Sequence, residues 1–204
     1  MKLNVGVIDL GINNLFSINN AIKYLGHNSE VSSDKDVLEK SECLILPGVG
    51  SFGYASGILK KHKLDEMIKK HATSGKTLIG ICLGFQLLFD QSEEFGFFQG
   101  LSIFKGKVKK LDNLKKNANI PNVGWRKTFI YNNNKIQYFD NFYYVHSFFA
   151  EPEKKNEILM ESEFENKNFC SAIKKNNIYG CQFHPEKSGE AGINLLEKFI
   201  KNEI

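Results

Sequence analysis

Thr77-Leu78-Ile79-Gly80-Ile81-Cys82-Leu83-Gly84 decides the fold. Its first half is an apolar run that reads as a buried strand, Thr77–Ile81, and residues 83–89 continue at once as a helix. A residue between such a strand and such a helix sits on a sharp turn in a strained conformation. Glycines two before it and two after it remove the side chains that would clash there. Cys82 holds that position. The turn also puts the sulfur at a helix N-terminus, where the positive end of the dipole favours thiolate. An ordinary thiol has a pKa of about 8.5, so this help matters for a nucleophile at neutral pH. The plain alternative is a buried core cysteine between incidental glycines, and the rest of the chain must choose.

Outward from this segment the pattern repeats. Residues 3–8 and Cys43–Leu46 are two more short apolar strands. Leu15, Ile18, Ala21, Ile22 and Leu25 recur at helical spacing before Gly26 stops them. Residues 47–53 form a glycine-rich turn, and 58–73 reads as one helix with lysines on its outer face, broken by Gly75. Strands alternating with helices, with loops at the strand ends, indicate a mostly parallel central sheet with helices on both faces. The second half differs. Short strands are expected at 108–111, 127–131, 143–146, 170–174 and 178–183, and Asn176-Asn177 suggests a hairpin between the last two. An amphipathic helix at 190–202 closes the chain through Ile193, Leu196, Phe199 and Ile200. The fold class expected is therefore α/β, one domain over 1–204, with an additional antiparallel sheet in the C-terminal half.

Composition narrows the class of function. The 204 residues can bury a substantial core, and 42% hydrophobic with 25% charged residues is ordinary for a globular chain. A net charge of +4 is mild. The densest basic segment, Lys105, Lys107, Lys109, Lys110, Lys115 and Lys116, carries no nucleic-acid-binding motif and reads as a solvated strand and loop. No nucleic acid and no membrane are expected as partners. No run approaches the roughly 20 apolar residues of a spanning helix, and the N-terminal apolar run is short and closed by Asp9. Cys43, Cys82, Cys170 and Cys181 form no Cys-x-x-Cys pair, which fits free thiols in a reduced, cytoplasmic setting and no metal.

Two further motifs bear on Cys82. The last expected strand runs into Gly180-Cys181-Gln182-Phe183-His184-Pro185-Glu186. A cysteine nucleophile needs a base, and the base needs an orienting group. Residues two apart in an extended segment point the same way, and Pro185 pushes His184 toward extended geometry, so Glu186 is expected beside the imidazole. A structural histidine and a solvated loop carboxylate are the bland readings of that pair. Pro47-Gly48-Val49-Gly50 is the other motif. Attack on an amide creates an oxyanion that needs backbone N–H donors. The amide of Leu83 is one, and a glycine-rich loop, whose peptides reorient cheaply, can give a second at Val49 or Gly50. A plain turn is the alternative there.

Together these elements resemble the class I, triad-type glutamine amidotransferases. Within that family they resemble the branch serving the imidazole glycerol phosphate synthases of histidine biosynthesis. The segments that carry the resemblance are Ile8-Asp9-Leu10-Gly11-Ile12-Asn13-Asn14-Leu15, Leu46 through Gly53, Gly80-Ile81-Cys82-Leu83-Gly84-Phe85-Gln86-Leu87-Leu88, Ile120-Pro121-Asn122-Val123-Gly124-Trp125, Tyr144-Val145-His146-Ser147-Phe148 and Gly180 through Gly189. They span essentially the whole chain.

The resemblance implies a flavodoxin-like fold. It implies that Cys82 attacks the side-chain amide of L-glutamine, with His184 as base and then acid and Glu186 orienting it. Leu83 and the Val49-Gly50 peptide would hold the oxyanion, and Gln86, Ser147 and Phe148 would contact glutamine. Ammonia would pass to a synthase (cyclase) subunit with a (β/α)8 barrel, in a heterodimer. No cofactor is implied.

The chain departs from the family pattern in places. Leu10 replaces a common Tyr and Asn13 a common Gly, Asn122 stands where His is usual, and Arg126 where Asn or Asp is usual. These positions lie outside the triad, at places where the state of a partner could be sensed. Three other readings are a paralogue feeding a sugar-amidinating synthase of surface polysaccharides, a stand-alone cysteine hydrolase, and a non-catalytic binder.

Overall fold

The computed structural model describes residues 2–11, 15–112, 120–132 and 135–204. Ile12, Asn13 and Asn14 of the N-terminal motif, and Lys115 and Lys116 of the basic segment, lie outside them. The first half alternates as the sequence predicts. Strand β1 (Asn4–Ile8) is followed by α1 (Phe16–Tyr24), β2 (Asn28–Ser32), α2 (Lys35–Leu38) and β3 (Cys43–Leu46). Then come α3 (Phe52–Lys61), α4 (Leu64–Thr73), β4 (Thr77–Ile81) and α5 (Leu83–Leu87). The second half adds β5 (Gln91–Ser92), β6 (Phe98–Gln99), β7 (Gly106–Lys110), β8 (Asn122–Asn132) and β9 (Lys135–His146). It ends with β10 (Phe148–Pro152), β11 (Ile158–Phe164), β12 (Lys167–Lys175), β13 (Ile178–Cys181) and α6 (Gly189–Lys201).

One nine-stranded sheet runs in the order β2-β1-β3-β4-β13-β12-β11-β8-β9. From β2 to β13 neighbouring strands are parallel, and from β13 to β9 they are antiparallel. The antiparallel part expected as an addition is thus continuous with the parallel sheet. A separate four-stranded sheet, β10-β7-β5-β6, lies beside it. Successive side chains of the parallel strands point to opposite faces and feed two cores. Val7, Ile45 and Ile79 pack with Ile18 and Ile22 of α1 and with Leu196 and Phe199 of α6. Ile8, Leu44 and Leu78 pack on the other face with Leu59, Met67 and Ile68 of α3 and α4.

The expected single helix over 58–73 is two helices. Lys63 adopts φ 54 between them. The buried stripe of α3 ends at Leu59 and that of α4 begins at Leu64. A five-residue step is out of phase with a 3.6-residue period, so a continuous helix would turn one stripe to water. Lys60 and Lys61 at the end of α3, and Asp65 and Glu66 in the first turn of α4, complement the two dipoles. The glycine-rich turn is also shorter than expected, because α3 begins at Phe52. The expected helix over 83–89 closes at Leu87. Strand β2 was not foreseen, since Asn28–Ser32 is a half-exposed edge strand with little apolar content. The lysines at 105 and 109 pair with Asp90 and Glu151, which fits a solvated strand rather than a basic patch.

Register explains the site. β4 pairs in parallel with β13 through Ile81↔Cys181, and β3 with β4 through Leu46↔Gly80. The chain therefore leaves three adjacent strands at one edge, carrying Pro47-Gly48, Cys82 and Gln182 to His184 to the same place. In open α/β sheets, ligands bind outside the carboxyl ends of the strands.

Candidate active site

Cys82 is buried, with φ 54 and ψ −108. Side-chain-bearing residues rarely adopt this region, and holding one there costs about 1–3 kcal/mol. The surroundings leave it no choice. A Cβ on Gly84 would stand 1.7 Å from the Leu46 carbonyl oxygen, and one on Gly80 2.8 Å from the Gly84 oxygen. The glycines bracketing the cysteine are thus required by close backbone approach, as the sequence suggested. With only five residues, Leu83–Leu87, the helix behind the sulfur carries a short dipole. Nearer groups matter more. Gln182 Nε2 donates toward the Cys82 sulfur at 3.7 Å, and the thiol lies 3.9 Å from the Val145 carbonyl oxygen.

His184 and Glu186 meet as expected, by a different route. His184 is extended at φ −100 and ψ 96, but Pro185–Lys187 is a single 3-10 turn. Lys187 N–H closes it on the His184 carbonyl at 3.0 Å. It is this turn, and not an extended two-residue step, that brings the carboxylate back to the ring. Nδ1 of His184 lies 2.9 Å from Glu186 Oε1, with both side chains almost wholly buried. A carboxylate accepts, so Nδ1 carries the hydrogen and the basic Nε2 is left to work. That Nε2 is buried without a hydrogen-bond partner among the described residues. Burial alone would lower the imidazole's pKa. The neighbouring Cys82 sulfur and the Glu186 carboxylate outweigh it and hold the pKa well above the ordinary histidine range. Ser188 Oγ donates to the His184 carbonyl and accepts from Tyr143 N–H, tying the turn to β9.

The cleft in front of Cys82 has a volume of about 260 Å³. Val49, Gly50, Leu83, Gln86, Ser147 and Phe148, all expected at the site, line it. Leu83 N–H is not open: it donates to the Gly48 carbonyl at 3.4 Å. Because a peptide is planar and trans, that carbonyl orientation turns the Val49 N–H away from the pocket where an oxyanion would form. Gln86 spends both amide hydrogens internally, on the Phe148 carbonyl and on Gln182 Oε1, each at 2.9 Å. Its Oε1 remains to accept from a ligand. The Ser147 and Phe148 carbonyls already accept from Leu111 N–H and from Gln86 and His146 respectively.

Four residues that line the cleft were not expected at the site: Glu94, Pro121, Val145 and His146, the last three within segments that carry the resemblance. Glu94 accepts from Phe52 N–H at 2.5 Å. Its carboxyl is partly desolvated, which raises its pKa against the lowering by that N–H. The only sequence signal was a carboxylate in a Glu93-Glu94-Phe95-Gly96 loop, which has no fixed spacing to the nucleophile. A larger cleft, about 640 Å³, opens at the starts of β1 and β2 beside Lys23, His27 and Lys40. It lies at the other end of the strands, and its lining includes Ser29 and Ser41 but no cysteine.

Three comparisons bear on this geometry. Residues 6–202 match the family model for glutamine amidotransferase class-I. The chain is 38% identical to imidazole glycerol phosphate synthase subunit HisH of Chlorobaculum tepidum, covering 97% of this chain and 99% of that one. It is 42% identical to imidazole glycerol phosphate synthase subunit HisH 2 of Methanococcus maripaludis, over 97% of this chain and 98% of that one. Among solved structures, that of PurLQS from Thermotoga maritima superposes with a TM-score of 0.75 at 20% identity, covering 99% of each chain, a likeness of fold.

Proposed function

The chain belongs to the class I glutamine amidotransferases, and we propose that it works as the glutaminase subunit of an imidazole glycerol phosphate synthase in histidine biosynthesis. The observation that carries the chemistry is the meeting of Cys82, His184 and Glu186 at one sheet edge, with Nδ1 of His184 bonded to the carboxylate. The near full-length relatives carry the choice of synthase, and favour it over a sugar-amidinating one.

In this reading L-glutamine lies in the cleft with its side-chain amide at the Cys82 sulfur. Glu94 faces the α-ammonium, and Gln86 Oε1 accepts from the substrate. His184 already holds the proton given up by Cys82, in keeping with its raised pKa, and the sulfur bonds to the amide carbon. The tetrahedral oxyanion takes the Leu83 N–H and a second donor from the Val49-Gly50 segment. His184 returns the proton to the nitrogen, the C–N bond breaks, and ammonia leaves a thioester. Water activated by His184 then releases glutamate and restores the cysteine.

Leu83 N–H is taken by Gly48 in this structure, so the oxyanion site opens only when the Gly48–Val49 peptide turns over. We read the present orientation as the idle state, and the synthase partner as what turns it. The glycines flanking Val49 make that rotation cheap. A crevice of about 30 Å³ on the other side of Val49, beside Ile81 and His184, is the exit we assign to ammonia. The partner is a (β/α)8 barrel subunit joined in a heterodimer, and 1–204 is one amidotransferase domain. Four free, buried thiols suit a reduced cytoplasm, and among the described residues no helix is long and apolar enough to cross a membrane.

Cys82→Ala tests the assignment in the assembled synthase. Glutamine-dependent product formation should vanish while synthesis from added ammonia persists. Residual glutamine hydrolysis by the variant would remove Cys82 from its role.

A further inference from the structure

Two of the positions that depart from the family pattern, Asn122 and Arg126, prove to be bonded to each other. Four residues apart on β8, they share a strand face. Arg126 Nε donates to Asn122 Oδ1 at 2.9 Å. The remaining guanidinium nitrogens donate to the Trp125 and Val123 carbonyls of the same strand, at 3.0 and 3.3 Å. Asn122 is fully buried, and its Nδ2 lies 2.9 Å from His146 Nε2 on the strand directly opposite. His146 Nδ1 lies 2.8 Å from the Phe148 carbonyl oxygen. That carbonyl also takes Gln86 Nε2, Gln86 in turn donates to Gln182 Oε1, and Gln182 Nε2 donates toward the Cys82 sulfur.

The direction of every bond follows from two fixed ends. Arginine only donates, so Asn122 must turn its oxygen to Arg126 and its NH₂ to His146. A backbone carbonyl only accepts, so His146 must carry its hydrogen on Nδ1. We propose that Arg126 and Asn122 are positioning residues that lock His146 as a neutral, Nδ1-protonated imidazole, and thereby hold the Phe148 carbonyl that sets Gln86 and Gln182 against substrate and nucleophile. The proposal rests on the glutaminase reading for its functional half. An Asn122 free to flip would offer its oxygen to Nε2 and invite a second proton onto the ring. The ionisable groups around that ring are Arg126 on β8, Tyr144 on its own strand and His184 beyond β13. A positive charge at 146 would oppose the proton that His184 must hold for the leaving nitrogen.

Asn122→Asp is the decisive variant. Its carboxylate still accepts from Arg126 but has no hydrogen for His146. Nitrogen-15 NMR of histidine-labelled full-length chain should show wild-type His146 protonated on Nδ1 alone at neutral pH, and the variant protonated on Nε2 or on both nitrogens. In the assembled synthase the same variant should lose tenfold or more in glutamine kcat/KM, with ammonia-dependent synthesis unchanged. Arg126→Met, which frees Asn122 without adding charge, should lose less and show the same shift of His146 in part of the molecules. A wild-type His146 protonated on Nε2 overturns the proposal, as does an Asn122→Asp enzyme whose kcat/KM stays within twofold. The NMR readout stands even if the wild-type synthase uses no glutamine, an outcome that would sink the functional assignment alone.

Discussion

At the scale of single residues, Cys82 combines strain with reactivity. Its φ of 54 would suit glycine, yet the chemistry needs a side chain there. Glycine is ordinarily less stable than alanine in regular structure by about 0.5–1 kcal/mol. At this position the order should invert. Cys82→Gly relieves the backbone and Cys82→Ala does not, so the glycine variant should be about 1 kcal/mol the more stable in urea unfolding. Alanine proving more stable would mean the turn stores no strain. Glu94 is a residue-scale matter too. Glu94→Gln keeps an oxygen for Phe52 N–H and removes the charge offered to an α-ammonium. A charged hydrogen bond is worth about 1.5–3 kcal/mol. KM for glutamine should therefore rise about tenfold or more while kcat changes little, measured by steady-state kinetics of the complex.

At the scale of elements, the strand-turn-helix unit of β4 and α5 works because it presses on β3. Gly84→Ala places a Cβ into the Leu46 carbonyl, and both are backbone groups with nowhere to move. The cost should be near the upper end for overpacking, about 3 kcal/mol, read as a fall in the urea midpoint. Glutaminase activity should fall as well, because the displaced turn carries the sulfur. An unshifted midpoint would show that β3 and α5 do not pack this closely. The element that orients the base teaches a related lesson. His184-Pro185-Glu186 announced a histidine with its carboxylate, and proline did hold His184 extended. The 3-10 turn that follows was not legible, because the closing bond, Lys187 N–H to the His184 carbonyl, is compatible with almost any residue at 187. Residues 58–73 misled for a different reason. Their composition is helical throughout, and only the five-residue step from Leu59 to Leu64 betrays the break.

At the scale of the whole molecule, buried histidines set the acid limit of stability. Burial lowers the pKa of His71, and lowers that of His146 to about 4. In the unfolded chain both titrate near 6.5. As pH falls from about 6.5 toward 4, the unfolded chain takes up protons that the folded protein refuses, so stability is lost across that window. His146 contributes of order 3 kcal/mol to the loss, at about 1.4 kcal/mol per tenfold. His184, held high instead, contributes stability that is complete below about 6.5 and is lost as pH rises. Urea midpoints should thus fall between pH 6.5 and 5, where carboxylates hardly titrate, and the slope should be shallower in His146→Gln. An equal slope would mean that His146 is charged in the folded protein. What the amino-acid sequence determined by itself was local: an apolar strand, a cysteine between glycines, a histidine stiffened by proline, a glycine-rich loop. Each needs only covalent geometry and neighbours within a few residues. Which loops face one another was decided by the parallel register Leu46↔Gly80 and Ile81↔Cys181. The closed state of the Leu83 amide and the chain of bonds from Arg126 to Cys82 were likewise decided only in the folded molecule. Hydrogen bonds between residues up to 100 positions apart leave no periodicity in a sequence, because their direction depends on partners that only packing brings together.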